Sequence, residues 1–373
     1  MTNRRQFLLA GATLGLASLL PLRLFAAEGD KRLLVLILRG GMDSLSVLAP
    51  YADPLYHSLR GELALNDDEL LRLDGTFALH AALKPLLPLW QQGEMLVLPA
   101  SASAYRERSH FDAQDVLETA AARPHALASG WLNRCAGELP GARAVAVGGS
   151  VPQLLQGPAH CEAWSPTGMP EVDADFLHRA SALYHGDPLF AGALDEAADL
   201  GGMGEMGMAR GPKAFVELCG AAAKLMGDKA RLGSLDLNGW DTHVNQRGRL
   251  QNQLGLLADG VLAFRSGMGE QWHNTAVLAL TEFGRTVRPN GSGGSDHGTA
   301  SLALLFGGGL KGGRWLGEWP GLSRLHQDRD LYPANDQRAL VAAVLREHLG
   351  LDDARLARIL PGAEVQPLRG LFA

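Results

Sequence analysis

Cysteine is scarce in this chain. Of 373 residues only three are cysteines, Cys135, Cys161 and Cys219, and none forms a CxxC pair. An odd, widely spaced set is no disulfide framework; buried free thiols are expected, with a single disulfide as the other option. A basic excess is also missing. The formal net charge of -6 argues against general nucleic-acid binding, so no nucleic-acid partner is expected. No segment matches a P-loop or a GxGxxG entering a helix, although "GGMDS", "GSGGSDHG" and "GGGLKGG" superficially resemble phosphate cradles. GxSxG is absent, which speaks against an α/β-hydrolase nucleophile elbow. No internal repeat or long low-complexity tract is visible.

The composition does allow a sizeable core, with 46% hydrophobic and 20% charged residues. The 46 glycines lie between apolar runs and point to tight turns rather than disorder. The N-terminus reads as a targeting segment. Arg4 and Arg5 precede an apolar run from Phe7 to Leu22, followed by Ala26 and Ala27. This pattern looks like a twin-arginine export signal over 1–26, which implies export in the folded state, the export machinery as a partner and a periplasmic or secreted protein. The run of 16 residues is short for a span of about 20, so no membrane span is expected to remain after cleavage. An uncleaved anchor is the alternative.

Five apolar runs predict buried parallel strands: 32–38, 94–100, 143–149, 275–281 and 302–308. Amphipathic helices are predicted over about 247–268 and 335–349, the second with Asn335 or Asp336 as N-cap. Strands alternating with helices predict an α/β fold with a largely parallel central sheet flanked by helices. Residues 27–373 then form a single domain. The Ala-, Gly- and Leu-rich stretch at about 151–235 reads as an inserted, mainly helical cap. Within it, Met203, Met206 and Met208 fit a loop better than a soft-metal site, because no His or Cys accompanies them.

Several strands end in Gly, Ser, Asp, Glu or Arg, and open α/β sheets bind ligands outside those carboxyl ends. In "WDTH", Asp241 and His243 lie two residues apart, so an extended backbone points both the same way. In "GSDHG", Asp296 and His297 sit between small residues. A carboxylate with imidazoles suits Zn, Mn or Fe, and Asp241, His243 and His297 would leave coordination positions open. After the first strand, Asp43 is either a cation ligand or a helix N-cap, while Arg39 can bind an oxyanion with its planar fork. Ser109 is either an N-cap with Asp112 as capping partner or a nucleophile activated by a metal. His110, its sequence neighbour, is badly placed to act as its base, so no Ser-His-Asp triad is expected. The tryptophans of "GGRWLGEWPGL" are expected to pack the sheet edge.

Taken in order, "LRGGMDSLSVLAPYADPLYHSLR", "YRERSHFDAQD", "SGWLNR", "WDTHVNQ", "TEFGRTVRPNGSGGSDHGTA" and "GGRWLGEWPGL" resemble the bacterial family of domain of unknown function 1501. That family is similar to the alkaline phosphatase and sulfatase superfamily, including cofactor-independent phosphoglycerate mutases. The resemblance implies a central sheet with one or two divalent metals and a Ser, Thr or modified Cys nucleophile for phosphoryl or sulfuryl transfer. Ser109 matches the nucleophile segment, and Asp241, His243 and His297 match one metal set. Where relatives carry an Asp-His pair, this chain has Glu282 and Phe283, and Phe283 cannot ligate. A second site would then hold Asp43, Glu282 and Ser109, an oxygen-rich set better suited to Mg or Ca than Zn, or be empty. The implied function is an exported metal-dependent hydrolase of a phosphate or sulfate ester, with small-molecule or polymer substrates. Arg39 or Arg285 would stabilise charge on the transferring group. The alternative is a non-catalytic periplasmic binding or assembly protein with a degenerate metal site.

Overall fold

The computed structural model describes residues 31–166, 213–362 and 365–373. The segment expected to direct export and the methionines at 203–208 lie outside the described residues. Arg32–Arg39 (β1) is the centre of a nine-stranded sheet. The other long strands are Met95–Ala102 (β2), Ala144–Val147 (β3), Cys161–Trp164 (β4), Leu232–Asn238 (β5), Thr275–Leu280 (β6) and Ser301–Gly307 (β7). Their spatial order is β2-β7-β6-β1-β5-β3-β4. Two-residue strands at Arg314–Trp315 and Asn335–Asp336 pair with β2 at its free edge.

Alternate side chains of β1 enter two separate cores, as the strand period requires. Leu34, Leu36 and Leu38 face one layer together with Phe215, Leu250 and Phe264. Leu33, Val35 and Ile37 face the other together with Trp131, Leu340 and Val344. Helices therefore cover both faces, and this double burial explains why β1 has no polar residue between Arg32 and Arg39. The first layer carries Lys213–Asp228 (α3) and Gln246–Met268 (α4); the second carries Trp131–Glu138 (α2) and Gln337–Glu347 (α5), while His110–Thr119 (α1) lies near the carboxyl ends of the strands. Asp336 caps α5 by accepting from the Arg338 N–H, as expected. Trp315 and Trp319 pack edge-on against Phe77 at centroid distances of 5.4 and 5.0 Å. Cys135 and Cys219 are buried free thiols, and burial pushes Cys135 up to about 12. Among the described residues no helix is long and apolar enough to cross a membrane.

Two expectations are corrected here. β7, expected to be parallel, runs antiparallel to both β6 and β2. It therefore enters the sheet at the edge where its parallel neighbours leave. The two ends of the stretch 151–235, expected as a mainly helical cap, also contribute to the sheet itself: β4 and β5 are strands of it, with β5 directly beside β1, while 167–212 lie outside the described residues.

Candidate metal centre

The antiparallel turn of β7 puts the loop before it, 296–300, at the carboxyl edge of the parallel strands. There it meets Gly40 after β1, Asp241 after β5 and Glu282 after β6. Thr286 N–H donates to Asp296 O at 2.9 Å and Gly284 N–H to Thr299 O at 3.0 Å, so Arg285 and His297 face each other across an antiparallel bridge. Gly40 is needed for close approach: a Cβ there would lie 2.4 Å from the Asp241 nitrogen, and its φ is +124°. The Asp241 loop crosses the end of β1 at this point.

Three imidazoles and a carboxylate converge at this edge. His297 Nε2 lies 2.9 Å from His243 Nε2 and 3.0 Å from His110 Nε2. Asp241 Oδ1 is 3.1 Å from His243 Nε2 and 3.4 Å from His297 Nε2, and Asp241 Oδ2 is 3.7 Å from His110 Nε2. Among the described residues, His110, Asp241 and His297 form the group of three whose ligand atoms all lie within 4.8 Å of one another.

The opposite nitrogen of each ring fixes its tautomer. His110 Nδ1 is 2.9 Å from Glu282 Oε1, His243 Nδ1 is 3.0 Å from Asp296 Oδ1, and His297 Nδ1 is 3.1 Å from the Arg108 carbonyl. All three partners are acceptors. Burial alone would raise Glu282, but its bonds from His110, Gln114 and the Gly40 N–H hold it below the usual carboxylate range. Asp296 is likewise held low, first by the Asn290 amide. Both are therefore anions, and each Nδ1 must donate. In neutral rings each Nε2 then carries its lone pair, and the His297 Nε2 meets the other two at hydrogen-bond distance. Burial and then the neighbouring His110 push the His297 pKa down, so its ring resists taking up a second proton.

Behind Asp241 lies Arg285, whose side chain is fully buried and whose Nη2 donates to Asp241 Oδ1 at 2.7 Å. Burial would raise Asp241, but the Arg285 charge and hydrogen bond hold it low. Burial in turn pushes Arg285 below the ordinary guanidinium range.

The expected site residues thus fall into three groups. Asp241, His243 and His297 are brought together. Asp296 and Glu282, expected as ligands, instead stand one hydrogen bond behind His243 and His110. Asp43, Arg39, Ser109 and Arg285 are placed differently. Asp43 is the N-cap of Ser44–Val47, accepting from the Leu45 N–H at 3.1 Å, and it is buried in contact with Arg60, Ser46 and Gln246. A guanidinium already occupies the cation position beside it, so the oxygen-rich second site is not assembled. Arg39 is committed to Glu118 at 2.7 Å and Asp236 at 2.8 Å. Burial would lower its pKa, but the Glu118 charge beside it reverses the sign, so it is raised. Arg285 is covered and cannot meet a substrate directly. Ser109 precedes α1 in extended conformation without capping it, and Asp112 bonds Tyr105 and His125 rather than completing a capping box.

His110 is the residue that sequence reasoning passed over. It opens α1, and Gln114, one turn later on the same face, donates to the Glu282 carboxylate that orients it (3.1 Å). A His at the start of a helix following a strand was the available signal.

No protein among those with curated descriptions matches the chain in sequence. Solved structures similar to it include a 2-O GAG sulfatase at 10% identity, covering 86% of this chain and 71% of that one, with a TM-score of 0.44. The lipoteichoic acid synthase LtaP from Listeria monocytogenes is another, at 7% identity, 88% and 74% coverage and a TM-score of 0.42. A third is the C-terminal periplasmic domain of EcEptC from Escherichia coli in complex with Zn, at 9% identity, 75% and 74% coverage and a TM-score of 0.34. Residues 102–364, which carry all four converging side chains, match the family described as Protein of unknown function (DUF1501), and the chain belongs to that family.

Proposed function

We propose that His110, Asp241, His243 and His297 hold one divalent cation, and that this centre serves a metal-dependent hydrolase of phosphate or sulfate esters. The observation that carries the reading is the convergence of three imidazole Nε2 atoms beside an ionised carboxylate. One proton can relieve one Nε2 contact; a cation relieves both and uses Asp241 as well. Ligands about 2.0–2.1 Å from a tetrahedral ion lie about 3.3 Å apart, close to the 2.9–3.7 Å separations that His297 and Asp241 make with each other and with His110 and His243. Nitrogen-rich ligation favours Zn, Mn or Fe over Mg or Ca. A bound cation would supply Lewis-acid polarisation of a phosphoryl or sulfuryl oxygen.

The chain's own groups have distinct tasks in this reading. Glu282, Asp296 and the Arg108 carbonyl keep the Nδ1 protons in place and the Nε2 atoms free. Arg285 holds Asp241 from behind. Ser109, which directly precedes His110 and whose hydroxyl does not cap the helix, is the candidate to attack or to position water. Substrate can approach, because Asp241 is 45% exposed. Phe111 and Val244, which directly follow His110 and His243, are 85% and 51% exposed. The Arg4–Arg5 segment fits export to the periplasm.

A second reading has specific support. Four protein ligands fill a tetrahedral site, and neither Arg39 nor Arg285 is available to a transferring group. A closed metal centre in a non-catalytic binding or assembly protein would look the same. Turnover decides between them. Metal-loaded protein is assayed on aryl, alkyl and sugar phosphates and sulfates, with His243→Ala as control. Hydrolysis of an aryl ester, lost in His243→Ala, is expected; metal binding without turnover of any ester would leave the non-catalytic reading.

A further inference from the structure

We infer that Asp330 is a positioning residue: its buried carboxylate ties together the two loops that carry His110 and His297, so that their rings converge before any cation arrives. The inference rests on the metal-centre reading. Asp330 lies far from the ligands in sequence, at the foot of the Leu325–Leu331 hairpin, and is fully buried. Its Oδ2 accepts from Arg108 Nε at 2.8 Å, Arg108 Nη2 at 2.6 Å and Thr299 Oγ1 at 2.8 Å. Oδ1 accepts from Arg329 at 3.1 Å. One carboxylate therefore reaches the residue two before His110 and the residue two after His297.

The backbone of Arg108 gives this link its consequence. Its φ is +66°, a left-handed conformation that a long side chain rarely adopts without being held. Two anchors hold it, Asp330 and the Gln327 amide oxygen at 2.7 Å. In that conformation its carbonyl meets His297 Nδ1 at 3.1 Å, and the chain turns directly into Ser109 and the start of α1. The same residue thus sets the tautomer of His297 and the position of His110. Without the ion pair, residue 108 is free to leave the left-handed region. The carbonyl then swings away, and His297 is free to carry its proton on Nε2, where it blocks the ligand atom.

The test uses the folded protein with Asp330→Asn, Arg108→Gly and Arg108→Lys. Gly permits the positive φ but has no anchor, whereas Lys keeps a charge for Asp330. In metal-free protein labelled with ¹⁵N at histidine, His297 is expected as the Nδ1–H tautomer in wild type and as a mixture in Asp330→Asn and Arg108→Gly. Cobalt(II) titration is expected to show affinity about 10–100-fold weaker in those two variants, an altered d–d band at saturation, and partial recovery in Arg108→Lys. An unchanged tautomer and an unchanged cobalt affinity in Arg108→Gly would overturn the positioning role, whatever happens to thermal stability. Failure of the wild type to bind cobalt while the tautomer still shifts in the variants would overturn the metal reading and leave the positioning role standing.

Discussion

His297→Ala is expected to weaken divalent metal binding by a factor of about 100 to 1,000. A structural zinc site is worth about 10–16 kcal/mol in apparent binding free energy, or about 2.5–4 kcal/mol for each of four ligands. His297 is the ligand whose loss costs most, because its Nε2 is the atom within 3.4 Å of all three others. Metal-free stability should move the other way or not at all. With neutral rings and no cation, the Nε2 contacts at 2.9 and 3.0 Å set lone pair against lone pair, and removing the shared ring relieves both. At a metal concentration 100 to 1,000 times Kd, wild type should gain about 3–4 kcal/mol, which for a chain of this size is a rise in Tm of about 4–6 °C. The variant should lose this rise while keeping its metal-free Tm. Calorimetric titration and thermal unfolding with and without metal check both halves. A variant that unfolds several degrees lower without metal, yet shows the wild-type rise with it, would make His297 a packing residue.

Gly294→Ala should damage the fold and the site together. A Cβ at this position would lie 2.2 Å from the His243 carbonyl oxygen and 2.5 Å from that of Thr242, both backbone atoms that cannot rotate away. The contact is locked from the other side as well, since Asn290 bonds both Gly294 and the His243 carbonyl. Overpacking of this kind costs about 1–3 kcal/mol. The displaced segment carries His243, so metal affinity should fall by about 10–100-fold in the same variant. Gly291→Ala is the matched control in the same loop, because its Cβ would meet nothing within 4 Å. Urea unfolding and metal titration of the pair should separate them on both measures; equal behaviour of the two variants would show that the loop yields freely.

Much of this architecture could be read from the chain, and the exceptions have physical causes. The runs at 32–38 and 275–281 are strands because continuous β-branched and leucine-rich segments are buried on both faces. The run at 302–308 is a strand for the same reason, but an apolar run carries no sign of its direction, and β7 proved antiparallel. β5 escaped notice because Gly233, Ser234 and Asp236 interrupt the leucines of its "LGSLDLN", leaving no continuous apolar run. Among the proposed site residues, the Asp241–His243 and Asp296–His297 pairs were visible as local clusters. His110 was not, because Ser109 and Asp112 around it already made sense as a helix start. Glu282 and Asp296 were recognised as site residues in the wrong layer: a carboxylate that binds a metal and one that orients the imidazole binding it look identical in sequence. Asp330 left no signal at all, since its partners are 222 and 31 residues away.

The most direct measurement is X-ray absorption at the zinc edge of the protein carrying one equivalent of zinc. The four-ligand centre predicts three imidazole nitrogens at about 2.0–2.1 Å and one carboxylate oxygen at about 2.0–2.2 Å. The imidazole count should drop by one in His110→Ala. A wild-type spectrum with one imidazole or none, or with sulfur in the first coordination sphere, would contradict it.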